Sequence, residues 1–202
     1  MMRNYAQLWL NRVRIRDRAS YIAILFIASL MHHTYCQTLI ASGIHVNGHL
    51  YEVYLAPGIT WANAQSFAAT LARPGYETAY LATITNADEN TFVTTLIASL
   101  PVHELWLGGF QPPGERDPRA NWSWVTGEPW VYANWAPGEP NDAYGPASEQ
   151  HLGIVRSGYW NDEGNLSNIS GFIVELVPEP ASMVALGAGL AGLLSLRRRR
   201  KA

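Results

Sequence analysis

Residues 139–162 read EPNDAYGPASEQHLGIVRSGYWND, and how the two ends of that stretch meet decides how the rest of the chain is read. Glu139-Pro140-Asn141-Asp142, Glu149 and Trp160-Asn161-Asp162 supply four carboxylates and two amides, with no cysteine and with His151 as the imidazole between them. That donor set is hard and made of oxygen. Calcium takes about six to eight such oxygens, whereas zinc and copper favour imidazole and thiolate. A proline between Glu139 and Asn141 admits a cis peptide at a cost of only ~0.5–1 kcal/mol, which would turn both side chains toward one point. Any one of these carboxylates, taken singly, is more often a solvated loop residue. The recurrence of amide beside carboxylate on two segments that closing strands would join favours a metal site.

Working outward, 42–176 reads as one compact α+β domain. The chain has 202 residues, 48% of them apolar, enough for one modest domain but not for two ordinary ones. Tyr51-Glu52-Val53-Tyr54 alternates like a strand. Gly58 and Thr60 announce a helix from Trp61 to about Leu71, with Trp61, Ala64, Phe67, Ala68 and Leu71 on a core-facing side. Ala79 to Ile84 is extended, and Asn86 with Glu89 three residues on predicts a second helix, running to about Leu100 and stopped by Pro101. Leu105-Trp106-Leu107-Gly108-Gly109 is an apolar strand ending in glycines. Residues 111–148, rich in Gly, Pro, Asn and Trp, form a long loop region broken by short strands such as Trp122–Val125, and a loop that long in so small a domain usually has a function. Leu152–Val155 and Gly171–Leu176 close the domain.

The charge is unevenly divided. Residues 42–176 carry four basic residues against fourteen acidic ones, a balance of −10. Such a surface repels a phosphate backbone, so nucleic acid is excluded as partner and a cation is favoured. The ends are basic instead. Five arginines precede the apolar run Tyr21 to Met31, which fits the core of a secretory signal and is short for a bilayer span. Residues 1–41 are accordingly read as a targeting segment, cleaved or kept as an anchor. Cys36 is read either as a lipid-attachment cysteine or as a thiol lost with the leader. At the other end Val177-Pro178-Glu179-Pro180 interrupts regular structure. The uncharged stretch 181–196 follows, and then Arg197-Arg198-Arg199-Arg200-Lys201, which would stay cytoplasmic. Sixteen residues at ~1.5 Å each fall somewhat short of a ~30 Å hydrocarbon core, so this is a marginal or transient membrane helix.

Two resemblances follow. Pro178-Glu179-Pro180, an apolar helix and a terminal Arg cluster, over 177–202, resemble the PEP-CTERM sorting signal of Gram-negative bacteria. The resemblance implies recognition by an exosortase-type protease and delivery through the inner membrane to the cell surface or an exopolysaccharide matrix. A plain tail anchor would share the helix and basic flank without needing the Pro-Glu-Pro.

The domain itself resembles the C-type lectin domain over about 47–176. The resemblance rests on the Trp61-x-x-Ala64 helix, Leu81-Ala82-Thr83-Ile84, Asn86-Ala87-Asp88-Glu89-Asn90, Trp106-Leu107-Gly108-Gly109, Asn134-Trp135, Glu139-Pro140-Asn141 and Trp160-Asn161-Asp162. It implies an α+β fold of two helices with short antiparallel sheets and a long calcium-binding loop. Ca²⁺ would be held by Glu139, Asn141, Glu149, Asn161 and Asp162, and sugar hydroxyls would be bound by Glu139, Asn141, Glu149 and Asn161. Glu-Pro-Asn implies mannose, glucose or fucose rather than galactose. Asp142 matches a position that helps an auxiliary calcium in some members. The crosslinks of that family are missing: Ala68 and Val174, and His151 with Asn165, stand where its cysteines would be. Trp135, Tyr144 or Trp160 are candidates to stack on a sugar face, with core burial favoured for Trp160 as for Trp106, Trp122 and Trp124.

Three function classes remain open. The first is an exported calcium-dependent lectin of the envelope or matrix. The second is a structural or protein-binding module of the same fold. The third is a glycosidase using Glu139 and Glu149, and it is set aside in favour of a chain without catalysis.

Overall fold

A computed structural model describes residues 36–180. The readings at 1–35 and 181–202, including the leader, the apolar span and the basic tail, lie outside the described residues. The elements run β1 (Thr38–Ile44), β2 (Leu50–Leu55), α1 (Trp61–Ala68), β3 (Tyr76–Leu81), α2 (Ala87–Ile97), β4 (Glu104–Phe110), β5 (Ser123–Trp124), β6 (His151–Val155), β7 (Trp160–Glu163) and β8 (Ile169–Pro178). β1 begins at Thr38 and β8 runs to Pro178, so the folded unit reaches past 42–176 at both ends.

The helices start where their caps dictate. Thr60 accepts from the Asn63 N–H, and Asn86 accepts from the N–H groups of both Asp88 and Glu89. Glu89 also accepts from the Thr85 N–H, just before the cap, at 2.8 Å. α1 ends at Ala68 rather than Leu71, because the chain tightens into i→i+3 bonds from Thr70 to Phe67 and from Leu71 to Ala68. Two tryptophans lock α1 to the sheet: Trp61 Nε1 donates to the Leu107 carbonyl at 2.8 Å and Trp106 Nε1 to the Ile59 carbonyl at 2.9 Å.

The described strands form one mixed sheet in the order β1-β2-β8-β4-β6-β7, with β3 pairing β8 and β5 pairing β4, and its named pairs are antiparallel except β4 with β8. β8 makes this possible by its length. It is antiparallel to β2 along Gly171–Leu176, antiparallel to β3 along Val174–Pro178, and parallel to β4 along Ile169–Phe172. Gly171 is required there, since a Cβ would lie 1.9 Å from the Tyr54 carbonyl oxygen. The alternation at Tyr51–Tyr54 falls on β2, which is covered on both faces. Tyr51 packs tilted on Phe92 of α2, Tyr54 stacks on Phe172, and Glu52 is buried in a bidentate pair with Arg73 at 2.8 and 2.9 Å.

No described residue pair forms a crosslink, and Cys36 is free and exposed. Aromatic packing supplies the cohesion instead. Trp122, Trp124, Trp130, Trp135 and Trp160 form a continuous cluster, Trp160 meeting its neighbours edge-on, with centroid spacings from 4.5 Å between Trp124 and Trp130 to 6.2 Å between Trp130 and Trp135. A fully buried ring such as Trp160 removes ~150–250 Å² from water, on the order of 4–6 kcal/mol, which is comparable to or above the ~2–4 kcal/mol typical of one disulfide. His151 fills its position as a neutral ring stacked 4.7 Å from Trp61, its pKa pushed down to about 4 by burial.

Candidate functional site

The long loop is fastened to β7 before it reaches the acidic turn. Trp160 N–H donates to the Asn134 carbonyl and Ala136 N–H to the Trp160 carbonyl, both at 2.9 Å, so Trp135 is drawn against Trp160. The chain then enters the turn through a cis Glu139–Pro140 bond.

From there two carboxylates organise the backbone. Asp162, fully buried on β7, accepts from Asn141 N–H with both oxygens at 2.9 and 3.0 Å and from Asp142 N–H at 2.9 Å. Asp142, at a φ of 50°, accepts from the N–H groups of Ala147, Ser148 and Glu149 at 2.9, 3.1 and 3.0 Å. Glu149 in turn accepts from Ala143 N–H. The ends of the 139–162 stretch therefore meet, and Glu139, Asn141, Glu149 and Asp162 come together. Asp142 is the staple of the loop, its carboxylate occupied by three backbone donors. The auxiliary-metal position that the resemblance implies for it goes to loop closure.

Asn161 stands apart from that hydrogen-bonded set. Side chains alternate along β7, and Asn161 lies opposite Gly153 of β6, its amide beside the Glu104 carboxyl. Glu104 is buried, with its pKa pushed up to about 8 first by burial and then by the charge of Glu163, against the influence of Asn161. Glu163 is buried too. It accepts from Gly164 N–H at 2.8 Å, Asn165 N–H at 2.5 Å and Asn168 Nδ2 at 2.8 Å, which ties down the 164–168 turn. The sequence reading missed Glu104 and Glu163. Glu163 was within reach as the acidic residue after Asn161-Asp162, while nothing local marks Glu104.

The electrostatics are those of crowded carboxylates. Burial, reinforced by the charge of Asp162, pushes Glu139 up to about 7. Burial also pushes Glu149 up to about 7, against the Ala143 N–H, and Asp162 is raised by burial in spite of its backbone donors. Glu139 Oε2 is buried without a hydrogen-bond partner. Among the described residues no three His, Cys, Asp or Glu side chains are grouped ready for a metal ion, because the carboxylates are turned onto backbone N–H groups. The donor chemistry nonetheless fits a hard cation: all oxygen, strongly anionic, with one buried oxygen lacking any donor. It fits acid–base catalysis poorly, since that needs two carboxyls driven apart, and Glu139 and Glu149 are driven the same way.

Of the candidate stacking rings, Trp160 is buried, as are Trp106, Trp122 and Trp124, and Trp135 belongs to the tryptophan cluster, whereas Tyr144 is 64% exposed and its hydroxyl meets Asn165 Nδ2 at 3.2 Å. A separate cleft of about 550 Å³, lined by residues including His103, Arg156 and Ser157, lies at the β6–β7 turn and offers no carboxylate.

Comparison with known proteins bears on the fold and on the C-terminal motif. Residues 176–200 match the PEP-CTERM protein-sorting motif. A lectin from Pleurodeles waltl is 26% identical over 160 residues, covering 74% of this chain and 87% of its own. The human C-type mannose receptor 2 is 35% identical over 123 residues, which are 52% of this chain but only 8% of that receptor. In structure, the C-type carbohydrate-recognition domain of cow CD23, crystallised in the presence of GlcNAc2Man3 oligosaccharide, superposes with a TM-score of 0.54 at 25% identity, covering 71% of this chain and 99% of that domain. The chain thus has C-type lectin homologues by sequence and by structure, adopts their α+β fold, and ends in a PEP-CTERM sorting motif.

Proposed function

We propose that this chain, with its C-type lectin fold and its PEP-CTERM motif, is an exported, calcium-dependent carbohydrate-binding protein of the cell envelope or exopolysaccharide matrix, without catalytic activity. The observation that carries the reading is the closure of the Glu139-Pro140-Asn141 turn onto Asp162 of β7, with Glu139 Oε2 left unpartnered inside it.

In this reading Glu139, Asn141, Glu149, Asn161 and Asp162 hold the ion. Calcium, when bound, supplies a positive centre with open coordination positions for hydroxyl oxygens. The chain's own residues do the discriminating. Carboxylates of Glu139 and Glu149 accept from hydroxyl protons, while amide nitrogens of Asn141 and Asn161 donate to hydroxyl oxygens, so two neighbouring hydroxyls are read on both faces. The Glu-Pro-Asn order favours mannose, glucose or fucose. The exposed ring of Tyr144 is the aromatic with a free face beside the turn.

The PEP-CTERM match supports export, a transient membrane stage through residues 181–196, and cutting near Pro178-Glu179-Pro180 by an exosortase-type protease. A second reading, a structural or protein-binding module in which the ion merely orders the loop, is favoured by the number of carboxylates already engaged by backbone. Retention on immobilised mannan separates the two. The lectin reading expects retention with Ca²⁺ and release by a chelator or free mannose, and passage through the column under both conditions contradicts it.

A further inference from the structure

The Glu104 carboxyl crosses β6 at a residue that has no side chain. Gly153 pairs with Trp106 of β4 on one side and with Asn161 of β7 on the other. A Cβ on Gly153 would sit 2.0 Å from Glu104 Oε1 and 2.8 Å from its Cδ, so the carboxyl occupies the space a side chain at 153 would fill. Facing side-chain positions on antiparallel strands are ~4.5–5.5 Å apart, which brings that carboxyl to the Asn161 side chain at the same register.

Glu104 is 1% exposed and its Oε1 has no hydrogen-bond partner, an arrangement that costs about 1–3 kcal/mol unless a donor is supplied. Its other polar neighbour, Glu163, accepts from Gly164, Asn165 and Asn168 and has no N–H to give. The Asn161 amide is the donor within reach.

We infer that Glu104 is a positioning residue: it takes an N–H of the Asn161 amide from behind, across Gly153, and so fixes the orientation in which the Asn161 side chain would present Oδ1 to the ion. This rests on the reading of Asn161 as a calcium ligand. Groups that orient a metal's ligands from behind typically change metal affinity by about 10–100-fold when removed. Replacing a buried carboxyl by a hydrocarbon of similar size is often neutral or stabilising for the fold, so the two effects separate.

The test uses the full-length chain, with calorimetric Ca²⁺ titration and thermal melting in chelator, for the natural sequence, Glu104→Leu and Glu104→Gln. The expected result for Glu104→Leu is a calcium-free melting temperature equal to or above the natural one, together with a loss of calcium affinity of about tenfold or more. Glu104→Gln, whose carbonyl can accept the same N–H, restores affinity to within a few-fold. Should Glu104→Leu not fold, Gly153→Ala, which drives a Cβ into the Glu104 carboxyl, is expected to weaken calcium binding in the same way. Natural calcium affinity in Glu104→Leu, or affinity that falls only in step with melting temperature, overturns the positioning role. A natural chain that gives no calcium heat overturns the calcium reading itself, and the positioning role with it.

Discussion

Asp162 holds the backbone N–H of Asn141 between its two carboxylate oxygens, at 2.9 and 3.0 Å, and so joins β7 to the acidic turn twenty-one residues earlier. Its next neighbour, Asp142 N–H, is caught by the same carboxylate. One buried side chain thereby fixes where the long loop returns to the sheet.

Asp162→Asn keeps the shape but replaces one accepting oxygen with a donor, which faces the Asn141 N–H even when the remaining oxygen takes the place of Oδ2. The expected outcome is a loss of about 1–3 kcal/mol in calcium-free stability, with calcium-dependent stabilisation abolished. Thermal melting with and without Ca²⁺ measures both. A melting curve unchanged in chelator would mean that the Asn141 and Asp142 donors find other partners.

Asp142 is expected to control order in the loop alone. In Asp142→Ala the N–H groups of Ala147, Ser148 and Glu149 lose their acceptor, and a non-glycine residue must keep a φ of 50°. Amide hydrogen exchange should accelerate at those three residues while β2 and β8 stay protected. Uniform acceleration across the domain would show that the loop and the sheet unfold together.

Much of this was legible in the residues, and the remainder has an identifiable cause. Asn86 and Glu89 announced a cap because capping is local, and Glu139-Pro140-Asn141 with Trp160-Asn161-Asp162 announced a site because their residue types are unusual together. Three features were not legible. β1 begins at Thr38, inside the stretch 1–41 read as a targeting segment, so its apolar residues merged with the leader. Arg73 neutralises Glu52 across twenty-one residues, hiding a strand buried on both faces behind an apparent polar alternation. Glu104 becomes a buried neighbour of Asn161 only because Gly153 leaves room, a relation between three strands that no window of sequence contains.

His49 contributes to the pH dependence with the same sign as the raised carboxylates Glu104, Glu139 and Glu149. Its Nδ1 lies 2.5 Å from Glu175 Oε1, and that bond, opposed by burial and helped by the charges of Glu175, Glu89 and Glu128, raises its pKa. Glu175 is itself raised by burial, with His49 and the Thr83 N–H pulling it down. A histidine raised in the folded state contributes its full stability below its unfolded value near 6.5 and loses it as pH rises through the folded value. The natural chain should therefore lose stability on going from about pH 6 to alkaline conditions. His49→Gln should be about 2 kcal/mol less stable at pH 6 and show a flatter profile, because Glu175 loses a hydrogen bond from a charged partner. Chemical denaturation at several pH values reads this, and parallel profiles for the two proteins would remove His49 as the cause.

The central claim is that calcium and sugar share the side chains of the Glu-Pro-Asn turn and β7, and calorimetry tests it most directly. The full-length chain is titrated with Ca²⁺ and then with mannose, alongside Asn161→Ala. The account predicts calcium binding by the natural chain, mannose binding only after calcium is present, and loss of both in Asn161→Ala. Mannose heat of equal size in the presence of chelator, or retained by Asn161→Ala, would contradict it.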